Sequence, residues 1–223
     1  MKFFSKKSIH DVKVNLSREE ILRRSRILIV DDEMPEIIND LKKARFSVDY
    51  EQDITKDNMN IVDQSTYDLV LLDFGNVGKS FGADEGLSLL KYIKRVNPAI
   101  VVLSYTSKAL STEHADFYRL SDGVLAKDAG IADSLERIED GLKKAHSIEN
   151  VWLGLITLAG ITQGSDEDIR LQDMLVKGLN SKRKMKNFKQ NMLPFLENGT
   201  SKTIGNILIG KLFELGLKAI IGL

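Results

Sequence analysis

Between residues 26 and 127, five strand-like runs alternate with stretches of helical periodicity, and this alternation constrains the fold more than any other feature. The runs are "RILIV" (26–30), "FSVDY" (46–50), "YDLVLLDF" (67–74), "AIVVLS" (99–104) and "GVLAK" (123–127). Between them, 33–44 carries Ile37, Ile38 and Leu41 at helical spacing, 84–96 carries Leu87, Leu90 and Ile93, and 131–146 carries Ile131, Leu135, Ile138 and Leu142. Weaker helical patterns lie at 55–65 and 111–119. Near-continuous apolar strands are buried on both faces, as in a parallel sheet whose crossovers are helices. The expectation is an α/β fold, a five-stranded doubly wound parallel sheet with a helical C-terminal extension. Such sheets place their sites at the carboxyl ends of their strands.

Applied to the polar residues, that rule gathers a set. Asp31 and Asp32 end the first run, Asp73 the third, Ser104 the fourth and Lys127 the fifth. Adjacent carboxylates raise each other's pKa unless something positive sits among them. The bland reading of Asp31, Asp32 and Glu33 is a solvated turn that caps the next helix. The sharper one is a hard cation such as Mg2+, which takes one or two protein carboxylates, with Asp73 as the third. A metal held there lets the Asp73 carboxylate attack phosphorus, with Lys127 supplying positive charge and Ser104 a hydroxyl donor. Taken singly, Asp73, Ser104 and Lys127 also read as ordinary strand-end residues. Their convergence separates the two readings.

Other chemistries are excluded or unsupported. Without cysteine there is no disulfide, thiolate metal site or cysteine nucleophile. His10, His114 and His146 are scattered and form no compact metal-binding set. The opening residues lack the apolar run of a signal peptide, so a cytoplasmic location is expected. The net charge of zero divides into +5 over 1–26, −8 over 27–148 and +3 over 149–223. The acidic middle argues against nucleic acid as its own ligand.

"ILIVDDE", "DLVLLD", "VVLS" and "VLAK" occur in that order, with 42 residues from Asp31 to Asp73, 31 on to Ser104 and 23 on to Lys127. Residues 26–146 thereby resemble the receiver domain of bacterial two-component response regulators. The resemblance implies a flavodoxin-like receiver at 26–148, with Mg2+ held by Asp31, Asp32 and Asp73. It also implies Asp73 as acceptor of a phosphoryl group from a histidine kinase or phosphotransfer protein, and Ser104 and Lys127 as contacts to that group. Such a protein is a phosphoacceptor with self-catalysed phosphorylation and dephosphorylation rather than a turnover enzyme.

The chain departs from the family pattern in three places. Asp128 follows the lysine where proline is usual, and Val124 stands at the aromatic switch position, with Tyr105 as a candidate substitute. The stretch from Asp73 to Gly86 is long and glycine-rich, suggesting a mobile loop in which Lys79 either reaches the phosphate or is solvated. "GNVGKS" lacks the spacing of a P-loop. These departures keep open a degenerate receiver that acts as a phosphorylation-independent interaction or dimerisation module.

The flanks carry no recognisable effector. Residues 1–25 form a basic extension with a short helix at Ser17 and Glu20 as its capping-box partner, and Phe3 and Phe4 suggest docking. Residues 149–223 are helical, at 151–161, 165–179, 182–196 and 203–223, the last confining its charges to Lys211, Glu214 and Lys218. Its broad apolar surface calls for a cover: packing on 151–161, a homodimer through the C-terminal helices, or a peripheral membrane contact. "KRKMKNFK" (182–189) is basic, but no helix-turn-helix signature accompanies it, and a charge run is usually a solvated face. A transcriptional regulator with a nucleic-acid-binding tail therefore stands as the alternative to output by protein–protein interaction or self-association.

Overall fold

The computed structural model describes residues 9–63, 67–107, 114–179, 181–196 and 199–221. Phe3 and Phe4, and the start of the helix expected at 111–119, lie outside these. The chain divides into two compact units, Leu16–Ala145 and a second made of Met1–Asn15 with His146–Leu223.

The first unit holds five parallel strands: β1 (Arg26–Val30), β2 (Ser47–Glu51), β3 (Leu69–Leu72), β4 (Val101–Thr106) and β5 (Gly123–Ala126). Their spatial order is β2-β1-β3-β4-β5, the flavodoxin-like order of a doubly wound sheet. The flanking helices are α1 (Arg18–Arg24), α2 (Ile37–Lys43), α3 (Asn60–Asp63), α4 (Gly86–Val96), α5 (Ala115–Leu120) and α6 (Ile131–Ala145). Because successive strand residues point to opposite faces, each apolar run feeds two cores. Ile27, Ile29, Leu71, Leu103 and Leu125 pack against α1, α2 and α6 through residues such as Leu22, Leu41 and Ile138. Leu28, Val30, Val70, Leu72 and Val102 pack on the other face against Val62, Leu89, Ile93 and Phe117.

Helix α1 belongs to this unit although it precedes the first strand. The Ser17 hydroxyl accepts the Glu20 amide, and Glu20 in turn accepts the Ser17 amide, the reciprocal pair that its sequence predicts. Its apolar Ile21 and Leu22 enter the α6-side core, and Arg18 pairs with Glu139 at 2.6 Å. The weak pattern over 55–65 yields only the single turn of α3 within the described residues.

The second unit contains α7 (Ile148–Leu158), α8 (Asp166–Leu179), α9 (Lys182–Met192), a short 3-10 turn at Leu193–Phe195 that accommodates Pro194, and α10 (Thr200–Ile221). Helix α10 packs on α7, so the apolar surface read at 203–223 is covered at least in part by the 151–161 region. Trp152, Leu155, Leu171, Leu175, Phe188, Ile204 and Leu212 are buried. Trp152 Nε1 donates to Asp168 at 2.9 Å, and the same carboxylate accepts the Gly164 amide at 2.7 Å, which satisfies a buried charge locally. Among the described residues, no helix is long and apolar enough to cross a membrane.

Candidate functional site

The site is built at the carboxyl edge of β1, β3 and β5. The Asp73 amide donates to Val30 O at 2.9 Å and the Asp31 amide to Glu51 O at 3.2 Å, extending the ladder one residue beyond the strands. This register puts Asp31 and Asp73 side by side at the tips of neighbouring strands. Asp31, Asp32 and Asp73 each offer a carboxylate oxygen, and the three lie within 4.8 Å of one another.

Each carboxylate has a protein partner. Asp31 Oδ1 accepts the Glu33 amide at 3.1 Å, and Asp73 Oδ1 accepts the Phe74 amide at 2.8 Å. Lys127 Nζ lies 2.7 Å from Asp31 Oδ2 and 3.1 Å from Asp73 Oδ2, bridging the pair. Asp32 Oδ2 accepts Asn76 Nδ2 at 2.9 Å. Burial raises the Asp73 pKa and the neighbouring Asp31 charge adds to this, against the lowering effect of Lys127. For Lys127, burial alone would depress the ammonium, but the close Asp31 and Asp73 carboxylates raise its pKa.

The residues fit a hard divalent cation. Asp31 Oδ2 is fully buried and, although paired in charge with Lys127, receives no aligned hydrogen-bond donor. An all-oxygen set of three carboxylates, with no histidine and no sulfur in it, is the donor chemistry of Mg2+ rather than of softer metals. Asp31, Asp32 and Asp73 are the residues that would hold it.

Ser104 stands apart from this cluster. It pairs in register with Leu72 and Val124, one step before the level of Asp73, and is wholly buried. Its hydroxyl donates to Gly123 O at 3.1 Å and lies 3.4 Å from Ser121 Oγ. Thr106, two residues on and so on the same face, pairs with Ala126, and its carbonyl accepts the Lys127 amide at 2.9 Å. Thr106 is thus the hydroxyl residue at the strand tip, which "VLSYT" alone does not distinguish from Ser104. Tyr105 points to the opposite face, with Lys127 Nζ 5.4 Å from its ring centroid.

The loop from Asp73 to Gly86 is tied down on both sides. The Asn76 amide donates to Glu85 at 2.8 Å and the Gly78 amide to Asp53 at 2.5 Å, and Ser80 Oγ accepts the Lys56 amide at 3.1 Å. Lys79 Nζ donates to Asn76 Oδ1 at 2.9 Å, so it supports the residue that holds Asp32, while its side chain stays largely in solvent. Asn76 and Glu85 both adopt positive φ, at 60° and 48°. Non-glycine residues held in that region are concentrated at functional sites. Beside the site, a cavity of about 500 Å³ is lined by Asp31, Glu36, Tyr105, Lys127 and Ile131.

The fold and its strand-tip residues together define a doubly wound α/β unit of flavodoxin-like order with three carboxylates and a lysine at its carboxyl edge. The chain is similar to several solved structures. One is the CheY-like response regulator receiver domain protein of Methanospirillum hungatei JF-1, at 22% identity and TM-score 0.44, covering 54% of this chain and 95% of that one. A second is the signal receiver domain of an HD domain-containing protein from Pseudomonas fluorescens Pf-5, at 19% identity and TM-score 0.46, covering 56% and 91%. A third is a two-component response regulator from Clostridium difficile, at 18% identity and TM-score 0.42, covering 53% and 96%. No protein-family model matches the chain, and no curated protein does.

Proposed function

We propose that this protein is a response regulator that accepts a phosphoryl group on Asp73 in a Mg2+-dependent phosphorelay. One observation carries the reading: three strand-tip carboxylates lie within 4.8 Å of one another at the carboxyl edge of a parallel sheet, with the Lys127 ammonium bridging two of them, Asp31 and Asp73. Bound Mg2+ would neutralise the carboxylates and draw in phosphoryl oxygens. An Asp73 carboxylate oxygen forms a bond to phosphorus as the P–N bond of a phosphohistidine donor breaks. The imidazole leaves with the electron pair, and Asp73 becomes an acyl phosphate. Water attack on phosphorus later restores the carboxylate and releases orthophosphate. Lys127, already between Asp31 and Asp73, is positioned to transfer its contact to the phosphoryl oxygens. Ser104 would have to leave the Gly123 carbonyl to do the same, whereas Thr106 lies nearer the tip.

The phosphoryl donor is a histidine kinase or phosphotransfer protein, and the output is self-association or docking to another protein. Acetyl phosphate with Mg2+ should add one phosphoryl group to the full-length chain, and Asp73→Asn should abolish it. Unchanged modification of the Asp73→Asn protein would remove Asp73 as nucleophile. Light scattering with and without beryllofluoride tests the output.

The second reading, a degenerate receiver serving as a constitutive interaction module, is favoured by the internal partners of the cluster: Asn76 holds Asp32 by a hydrogen bond, and Lys127 holds Asp31 and Asp73 by charge. Failure of both acetyl phosphate modification and Mg2+ binding would decide for it.

A further inference from the structure

The second unit has fourteen Lys/Arg against eight Asp/Glu, +6, balancing −6 in the sheet unit. Its excess is concentrated on α9, where Lys182, Arg183, Lys184, Lys186 and Lys189 are all exposed. Among the described residues, no carboxylate pairs with any of the five. Two acids of the preceding helix pair with cations of their own helix, Glu167 with Arg170 and Asp173 with Lys177, and Asp168 is taken by Trp152 and the Gly164 amide.

This arrangement works against the stability of α9. A helix N-terminus carries partial positive charge and favours acidic residues, yet the first turn of α9 has none and opens on three consecutive cations. Ser181 caps the helix by accepting the Lys184 amide, so the first turn is well formed despite that repulsion.

The Ser181 amide donates to Gly178 O at 2.9 Å. A Cβ on Gly178 would stand 3.2 Å from the Met185 backbone, so glycine lets the end of α8 come against the first turns of α9. Leu171, Leu175 and Leu179 of α8 and Met185, Phe188 and Met192 of α9 are buried, and the two helices pack on each other. What α9 leaves in solvent is wholly polar, with Asn187 and Gln190 among the cations.

We infer that α9 is a duplex-DNA-binding helix: its N-terminal cations meet phosphates, and its exposed Asn187 and Gln190 face the base edges of the major groove. Each property of the helix selects this partner. The major groove, about 12 Å wide, admits one α-helix, and Asn and Gln are the side chains that read adenine there. A membrane surface is disfavoured because every apolar residue of α9 is already buried. Duplex RNA presents a deep, narrow major groove that a helix does not enter. The inference rests on residues that take no part in the Asp73 chemistry and stands whether or not Asp73 is phosphorylated.

The test is fluorescence anisotropy of a labelled mixed-sequence DNA duplex titrated with the full-length protein over a salt series. Binding in the micromolar range is expected at about 50 mM salt, with log K falling by roughly 0.9 per phosphate contacted. The combined variant Lys182→Gln, Arg183→Gln, Lys184→Gln should flatten that slope by about two to three units, whereas Lys202→Gln on α10 should leave it unchanged. The triple variant should also match or exceed the parent in thermal midpoint, because it removes cations from a helix N-terminus. Three results would each overturn the inference: no duplex binding at low salt, an unchanged slope in the folded triple variant, or tighter binding to duplex RNA or phosphatidylserine vesicles than to DNA.

Discussion

Lys127 Nζ lies 2.7 Å from Asp31 Oδ2, so an ammonium from the end of β5 neutralises a wholly buried carboxylate at the end of β1. Removing that cation leaves Asp31 and Asp73 facing each other with no countercharge. Lys127→Met is expected to destabilise the metal-free sheet unit by about 3 kcal/mol, the usual cost of breaking a buried ion pair from one side. Millimolar Mg2+ should recover more stability in the variant than in the parent, because a bound cation supplies the missing charge. Urea denaturation in EDTA and in Mg2+ measures both effects. Equal Mg2+ stabilisation of the two proteins would contradict the assignment.

Asn76 orients Asp32 through a single 2.9 Å hydrogen bond while its own backbone sits at φ 60°. Glycine tolerates that conformation without cost, so Asn76→Gly removes only the side-chain bonds, the one to Asp32 and the exposed one from Lys79. Mg2+ affinity is expected to fall about tenfold or more, the usual consequence of removing a residue that orients a ligand. Isothermal titration with Mg2+ gives the value directly, and the thermal midpoint should hardly move.

Gly86 opens α4 against the Asp73 backbone. A Cβ there would stand 2.4 Å from the Asp73 carbonyl oxygen and 2.7 Å from that of Phe74. These are backbone atoms fixed to a buried strand, so the backbone itself must shift. Gly86→Ala is expected to cost about 1–3 kcal/mol. It should also slow acetyl phosphate modification, because the displaced segment carries Asp73.

Asp122 accepts hydrogen bonds from Lys144 Nζ at 2.8 Å and the Val102 amide at 2.7 Å, and it is closely paired with Lys94. Burial alone would raise its pKa, but the Lys94 charge and these hydrogen bonds lower it below the ordinary carboxylate value. A depressed carboxylate stabilises the fold above its unfolded pKa, and that contribution is lost as pH falls through the lower folded value. Asp122→Asn should therefore destabilise by about 2–3 kcal/mol at neutral pH. The gap from the parent should close below about pH 4. Denaturant titrations at stepped pH test the sign.

Trp152 is the one tryptophan of the chain, and its indole donates to the buried Asp168. Its fluorescence therefore reports on the second unit alone. Asp168→Ala leaves the indole N–H and the Gly164 amide without that acceptor, at an expected cost of about 1–3 kcal/mol for each buried group left unsatisfied. The fluorescence transition should move to lower urea, while acetyl phosphate modification of Asp73 stays intact.

The sheet strands and the main helices of the first unit could be read from the chain because those signals are local. "ILIV" and "LVLL" are too apolar for any setting but the middle of a parallel sheet, and the 3.6-residue stripes of α4 and α6 need only their own residues to be visible. The strand-tip positions of Asp31, Asp73 and Lys127 follow from the same pattern, since a polar residue after a buried run must leave the core. The distances among them do not follow, because spacing along the chain carries no strand order. Adjacency of β1 and β3 brings Asp31 to Asp73, and the reach of Lys127 from β5 depends on the whole five-strand arrangement. Register, likewise a tertiary property, sets Ser104 one step below the tip, with its hydroxyl on Gly123, and leaves Thr106 nearer the edge. Loop closure puts Asn76 on Asp32, and a glycine lets α8 come close to α9, whose five cations are exposed. Periodicity and residue type act over a few neighbours and are written in the chain, whereas contacts between distant segments exist only once packing has chosen one arrangement.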